Sequence, residues 1–98
     1  MKRQPFSSHA QSDIAEAYAW YEKQSSGLGD DFLMAVHEQV GRITALPEMG
    51  MVYRTHFRRV LLSRFPYALF YRTNSQGIRV VAVLHHRQGD ATRHGRLR

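Results

Sequence analysis

Residues 57–85, read as FRRVLLSRF-P-YALFYRT-NSQG-IRVVAVLH, decide the fold. Three runs rich in β-branched and aromatic residues, Phe57 to Phe65, Tyr67 to Thr73 and Ile78 to His85, follow a period of two. Pro66 separates the first pair of runs and Asn74-Ser75-Gln76-Gly77 forms a turn between the second pair. Connections this short predict an antiparallel meander.

Upstream the period is 3.6. Ser8 and Gln11 have capping-box spacing, and Ala10, Ile14, Ala17, Tyr18 and Tyr21 recur at helical intervals, predicting a helix from about His9 to Gln24. Ser25-Ser26-Gly27 stops it, and Gly27-Leu28-Gly29 is a tight connection. A second helix is expected from about Asp30, with Phe32, Leu33, Val36, Val40, Ile43 and Leu46 on one stripe and Pro47 at its end. Gln39 is expected off that stripe. The two helices form an αα-hairpin. Arg3 to Ser7 reads as a short edge strand, where Pro5 is tolerable. The expectation is an α+β two-layer domain in the order β-α-α-β-β-β, one domain over residues 1–98, with a basic, partly mobile tail over 86–98.

Charge divides along the same line. Residues 51–98 hold ten arginines and one carboxylate, Asp90, whereas residues 1–50 hold four basic and seven acidic residues. Twelve of the fourteen cations are arginine, the side chain suited to bidentate contact with phosphate or carboxylate. The basic half therefore fits a polyanion or an acidic partner, against the alternative of a solvated basic face. The absence of cysteine excludes a disulfide framework and a thiolate zinc site. No stretch approaches membrane-spanning length, and a cytoplasmic protein without cofactor is expected.

Histidine carries less information. His85 and His86 are adjacent, so on a strand they point to opposite faces and cannot share a metal. A partly buried, hydrogen-bonded ring beside an exposed one is the simpler expectation. His9, His37, His56 and His94 show no ligand spacing on a shared element, so no metal site is expected. Tyr71 is the one sheet aromatic considered for an exposed stacking role, and Trp20 lies off the main stripe of the first helix.

Several pieces together resemble the RelE/ParE superfamily of type II toxin–antitoxin (plasmid stabilisation) toxins, closer to the ParE branch. They are Ala10-x-x-Asp13-Ile14, Gly27-Leu28-Gly29 before Phe32-Leu33, Pro47 closing the second helix, Arg64-Phe65-Pro66-Tyr67-x-x-Phe70-Tyr71, and Val83-Leu84-His85-His86-Arg87. The resemblance implies a basic toxin neutralised by a cognate acidic antitoxin. One branch poisons DNA gyrase and the other cleaves mRNA on the ribosome. For the ribonuclease branch, Arg59 and Arg87 match cationic positions and His85 or His86 would assist. Leu61 stands where a strand lysine is expected, however, and Ala68 where a catalytic arginine is expected. Removing one phosphate-stabilising contact typically costs about 10²–10³ in rate. The resemblance thus favours a ParE-like inhibitor of gyrase, the alternatives being a ribosome-dependent endoribonuclease and a non-toxic antitoxin-binding module. Target or antitoxin binding is assigned to Arg58, Arg59, Arg64, Arg72, Arg87 and Arg93.

Overall fold

The computed structural model describes residues 5–88 and 95–97. Two helices, α1 (Ser8–Gln24) and α2 (Leu28–Ala45), precede four strands, β1 (Met51–Tyr53), β2 (Phe57–Leu61), β3 (Tyr67–Asn74) and β4 (Gly77–His85). The strands form one antiparallel sheet in the order β1-β2-β3-β4. The helical hairpin lies on one face of it, as the two-layer reading expects. No helix among the described residues is long and apolar enough to cross a membrane.

Local chemistry sets the helix ends. The cap of α1 is Ser7, one residue earlier than expected, and its hydroxyl accepts from Ala10 N at 3.1 Å. Helix α2 starts at Leu28, two residues early, because Gly27 at φ 91° turns the chain in the left-handed region. The Glu22 carboxylate then takes the first amides, accepting from Gly27 N at 3.0 Å and Gly29 N at 2.9 Å. An anion at that position also suits the helix dipole.

The predicted N-terminal strand shrinks to a single parallel bridge, Phe6 to Val80. Pro5 has no amide hydrogen to donate, although its carbonyl accepts from Val80 N at 2.8 Å. Arg3 and Gln4 lie outside the described residues. On the far side of the sheet, β1 is a strand that periodicity did not indicate.

Helix α2 is rotated slightly from its expected face. Phe32, Ala35, Val36 and Ile43 are buried, while Val40 is only half-buried against the core. Gln39, expected on the surface, reaches the sheet and donates to Leu61 O at 2.7 Å. With Leu69, Tyr71, Val80 and Val83 these helical residues make the main core, where each fully buried large side chain contributes about 1.5–3 kcal/mol.

Tyr71 is wholly buried, which removes it as a stacking platform. Its hydroxyl donates to Pro47 O at 2.8 Å and accepts from Gly50 N at 3.0 Å. Arg58, directly opposite Tyr71 across the strands, donates to Glu48 O at 3.0 Å and Gly50 O at 2.8 Å. These four bonds fix the α2–β1 connection and with it the position of β1.

Tyr71→Phe should cost about 1–3 kcal/mol, the penalty for an unsatisfied buried partner. Gly50→Ala should cost a similar ~1–3 kcal/mol through overpacking, since its Cβ would stand 2.6 Å from the Tyr71 hydroxyl oxygen. Urea denaturation of both variants measures this. Losses under about 0.5 kcal/mol, the range of surface substitutions, would mean that the connection is held by other contacts.

Candidate target-binding surface

Strand alternation gives the sheet a second apolar face, turned away from the helices. Phe57, Ala68, Phe70, Ala82 and Leu84 are buried there together with Leu97 from the C-terminal segment, and Tyr53 and Val81 pack against them. Leu97 is only 2% exposed. Of the expected tail, 86–98, residues 86–88 and 95–97 are described, with Leu97 packed on the sheet, and 89–94 and 98 lie outside the described residues.

The anchor is an ion pair between Arg96 and Asp13. Nη1 and Nη2 of Arg96 donate to Oδ1 and Oδ2 of Asp13 at 3.0 and 2.8 Å, and Nη2 also donates to Val81 O at 3.1 Å. Asp13 Oδ2 additionally accepts from Val83 N at 3.0 Å. One carboxylate on α1 thereby closes the outer edge of β4 and holds the tail, an edge that would otherwise offer unpaired backbone groups. Sequence reading did not find this pair, because the two residues are 83 positions apart.

Beside Asp13 lies an open cleft of about 660 Å³ between α1 and the end of β4. Glu16 and Trp20 form one wall, and Tyr67, His85 and Arg87 the other. Trp20 is 57% exposed, as its place off the stripe suggested. Burial, then the Tyr21, Glu16 and Asp13 side chains, push the Tyr67 hydroxyl above its ordinary pKa, so it stays protonated.

His85 is partly buried and its ring meets Tyr67 edge-on at 5.1 Å. Its Nδ1 accepts from Arg87 N at 2.9 Å. The neutral ring consequently carries its proton on Nε2, where it can donate but not accept. Desolvation, then Arg87 and His86, lower its pKa below 6.5. A ring held neutral with its only lone pair engaged is badly placed to serve as a general base. His86 is exposed, with its amide donating to Pro66 O at 2.9 Å. The pair thus matches the expected division into one hydrogen-bonded ring and one exposed ring.

The arginines assigned to binding do not converge on one point. Arg59 and Arg72 share the outer face; Arg59 reaches Met51 Sδ at 3.9 Å and its guanidinium carbon lies 5.9 Å from the Tyr53 ring centroid. Arg58 is on the helix side, tied to loop carbonyls as above. Arg64, held at φ 72°, sits over Phe65 and 3.6 Å from Asp31 at the helix edge. Arg87 is exposed at the cleft, and Arg93 lies outside the described residues. Leu61 and Ala68 are opposite one another on the outer face, Leu61 53% exposed and Ala68 buried in the cluster that holds Leu97. Among the described residues no group of three or more histidine, aspartate or glutamate side chains is placed to hold a metal ion.

Comparison with known proteins adds the following. A family-wide sequence description, "ParE toxin of type II toxin-antitoxin system, parDE", matches residues 6–89. Among solved structures, a chain of the "Chromosomal ParDE TA system from P. aeruginosa" is similar, with a TM-score of 0.60 at 17% identity, covering 82% of this chain and 90% of that one. At that identity the likeness is one of fold. A comparison with curated proteins gives no match.

Two outcomes are expected of this geometry. Arg96→Ala should destabilise the domain by about 1.5–3 kcal/mol, the usual worth of a hydrogen bond to a charged group, and should expose the outer face to a hydrophobic dye. The depressed His85 pKa makes stability pH-dependent. Its contribution is complete above the unfolded value near 6.5 and is lost as pH falls through the lower folded value, because the unfolded chain binds the proton first. His85→Gln should flatten that part of the stability–pH curve, read by chemical denaturation at a series of pH values; an unchanged curve would show that His85 does not contribute.

Proposed function

The chain belongs to the ParE toxin family, the toxin component of a type II toxin–antitoxin system, and from that membership we propose that it acts as a ParE-like inhibitor of DNA gyrase restrained by a cognate acidic antitoxin. It works by binding rather than by catalysis, in the cytoplasm, as one toxin domain over residues 1–98 without cofactor. The observation that carries this reading is the state of the outer face. Where the ribonuclease branch would need cations, Leu61 and Ala68 stand, and Ala68 is buried in the cluster sealed by Leu97. His85 is restricted to donating, and the Tyr67 hydroxyl holds its proton. Neither of those two groups offers a base for activating a ribose hydroxyl.

The antitoxin is proposed from the likeness to a structure described as a ParDE system and from charge. A net charge of +6, concentrated in the sheet, favours a partner rich in carboxylates. Arg59, Arg64, Arg72 and Arg87 present guanidinium groups at the surface for such a partner or for the target. Arg58 would act only through the loop that it holds.

Purified protein should inhibit gyrase supercoiling or trap cleaved plasmid DNA, and should leave ribosome-bound mRNA intact. Arg87→Ala should weaken that inhibition roughly tenfold to 150-fold, the equivalent of one charged hydrogen bond of about 1.5–3 kcal/mol. Cleavage of mRNA in the ribosomal A site, abolished by His85→Ala or His86→Ala in a folded domain, would replace gyrase with a ribonuclease using Arg59 and Arg87.

A further inference from the structure

The cleft of about 660 Å³ has two walls of different chemistry. Asp13, Glu16, Ala17, Trp20 and Tyr21 fall at intervals of three and four residues, so a single face of α1 supplies one wall. In the other, Tyr67 and His85 are paired in register across β3 and β4, and Arg87 follows two residues on. Ala17 and Val83, both buried, add apolar surface between the walls. Small-molecule sites have this size, about 300–1,000 Å³, and this mixture of apolar lining with a few polar groups. On the sheet side three groups donate. The Tyr67 hydroxyl keeps its proton, neutral His85 carries its proton on Nε2, and exposed Arg87 offers a guanidinium suited to phosphate. On the helix side Asp13 is engaged by Arg96 and by Val83 N, whereas the Glu16 carboxylate is exposed. Trp20, one turn further along α1, is 57% exposed and lines the same space.

We propose that this cleft binds a guanine nucleotide, its base on Trp20 with the N1 and N2 donors to Glu16, and its phosphate against Arg87 and the Nε2 proton of His85. The order of groups in the ligand matches the order in the cleft: a flat ring for an exposed aromatic, then an anion for the donors. Guanine is singled out by Glu16. A carboxylate accepts best from two adjacent N–H donors, and among the common bases guanine alone presents such a pair, N1–H and N2–H₂. An acidic peptide brings the anion but meets Glu16 as a like charge. Free phosphate leaves the Trp20 wall unused. The cleft lies on the helix side of the sheet, since Tyr67 packs against the helix-facing core, and not on the outer face with Ala68 and Phe70. Binding there requires no gyrase, no antitoxin and no strand cleavage, so the inference goes beyond the proposed function and stands or falls separately.

The test is calorimetric titration of the full chain with GMP, read in parallel by the emission of Trp20, the one tryptophan in the sequence. GMP should quench Trp20 and bind roughly tenfold or more tightly than IMP, which lacks only the 2-amino group. Inorganic phosphate and a hexaglutamate peptide, at matched ionic strength, should bind more weakly still. A short single strand ending in guanosine 5′-phosphate identifies the source: tighter binding than GMP assigns the end of a nucleic acid, equal or weaker binding a free nucleotide. Glu16→Gln should bring GMP and IMP to within about twofold of each other, because the paired acceptor is gone. Arg87→Gln should weaken GMP roughly tenfold or more and keep the preference over IMP. Arg42→Gln, in the last turn of α2, should change neither quantity. Glu16 and Arg87 are both exposed, so their variants should melt with the parent. A parent chain that binds GMP no better than IMP, or no better than phosphate or hexaglutamate, would overturn the proposal. So would a folded Glu16→Gln chain that keeps the full preference for GMP, or an Arg42→Gln chain that loses binding as Arg87→Gln does.

Discussion

A central strand that is apolar on both sides sets the requirements for everything around it. Ala68, Leu69, Phe70 and Tyr71 of β3 are all buried, two towards the helices and two away from them. The helical hairpin satisfies one side only. The other must be covered by something else, and the C-terminal segment does so with Leu97. A segment this short cannot remain in place on apolar area alone, since burying one leucine contributes about 1.5–3 kcal/mol and ordering each residue costs about 1–2 kcal/mol. The two-pronged bond from Arg96 to Asp13 supplies the difference. Because Asp13 also takes the Val83 amide, the tail, α1 and the edge of β4 meet at one carboxylate.

The same arrangement divides the charge between layers. Carboxylates lie on the helices and the connection after them, where Asp30 and Asp31 occupy the first turn of α2 and Glu22 takes its leading amides. The sheet and its turns carry arginine without acid from Met51 to Gln88. Charges of one sign concentrated on one layer produce a field that extends about a Debye length, ~8–10 Å at physiological salt, and draws anionic surfaces towards the sheet. Against that field Asp13 is spent internally on Arg96, so the cleft beside it is lined by Glu16 on one wall and Arg87 on the other.

What the sequence disclosed follows from how local each feature is. The hairpin of helices and strands β2 to β4 were legible because apolar period and turn residues are written within ten or twenty positions. Strand β1 was not, since three residues carry no period and Gly50, which leads into it, is held by Tyr71 of β3 and Arg58 of β2. Tyr71 was misplaced because alternation alone does not say which set of residues faces the helices, and in the structure Tyr71 belongs to the helix-facing set. The arginines of the candidate surface could be named from composition and resemblance. Which of them share a face needed the register, which separates Arg59 and Arg72 from Arg58. The Asp13–Arg96 pair left only a faint trace: Leu97 is the one large apolar residue in a polar tail, next to a cation.

The outer face also ties fold to function through a physical exclusion. A phosphate cradle for strand scission needs solvated, convergent cations at the centre of the sheet, with room for ribose and base. A packed cover needs small and apolar side chains at the same positions, with water removed. Ala68 under Leu97 belongs to the second kind, and it cannot coexist with the first. The guanidinium groups accordingly do not converge at the centre: Arg72 and Arg87 lie at opposite margins, and Arg59 stands beside Phe70 on β2. Charges at margins are suited to aligning and holding a large partner, where each contact adds to affinity, and ill suited to gathering around one reacting phosphate. The apolar cover and the absent catalytic cations are then two views of a single choice of side chains, which favours binding as the mode of action.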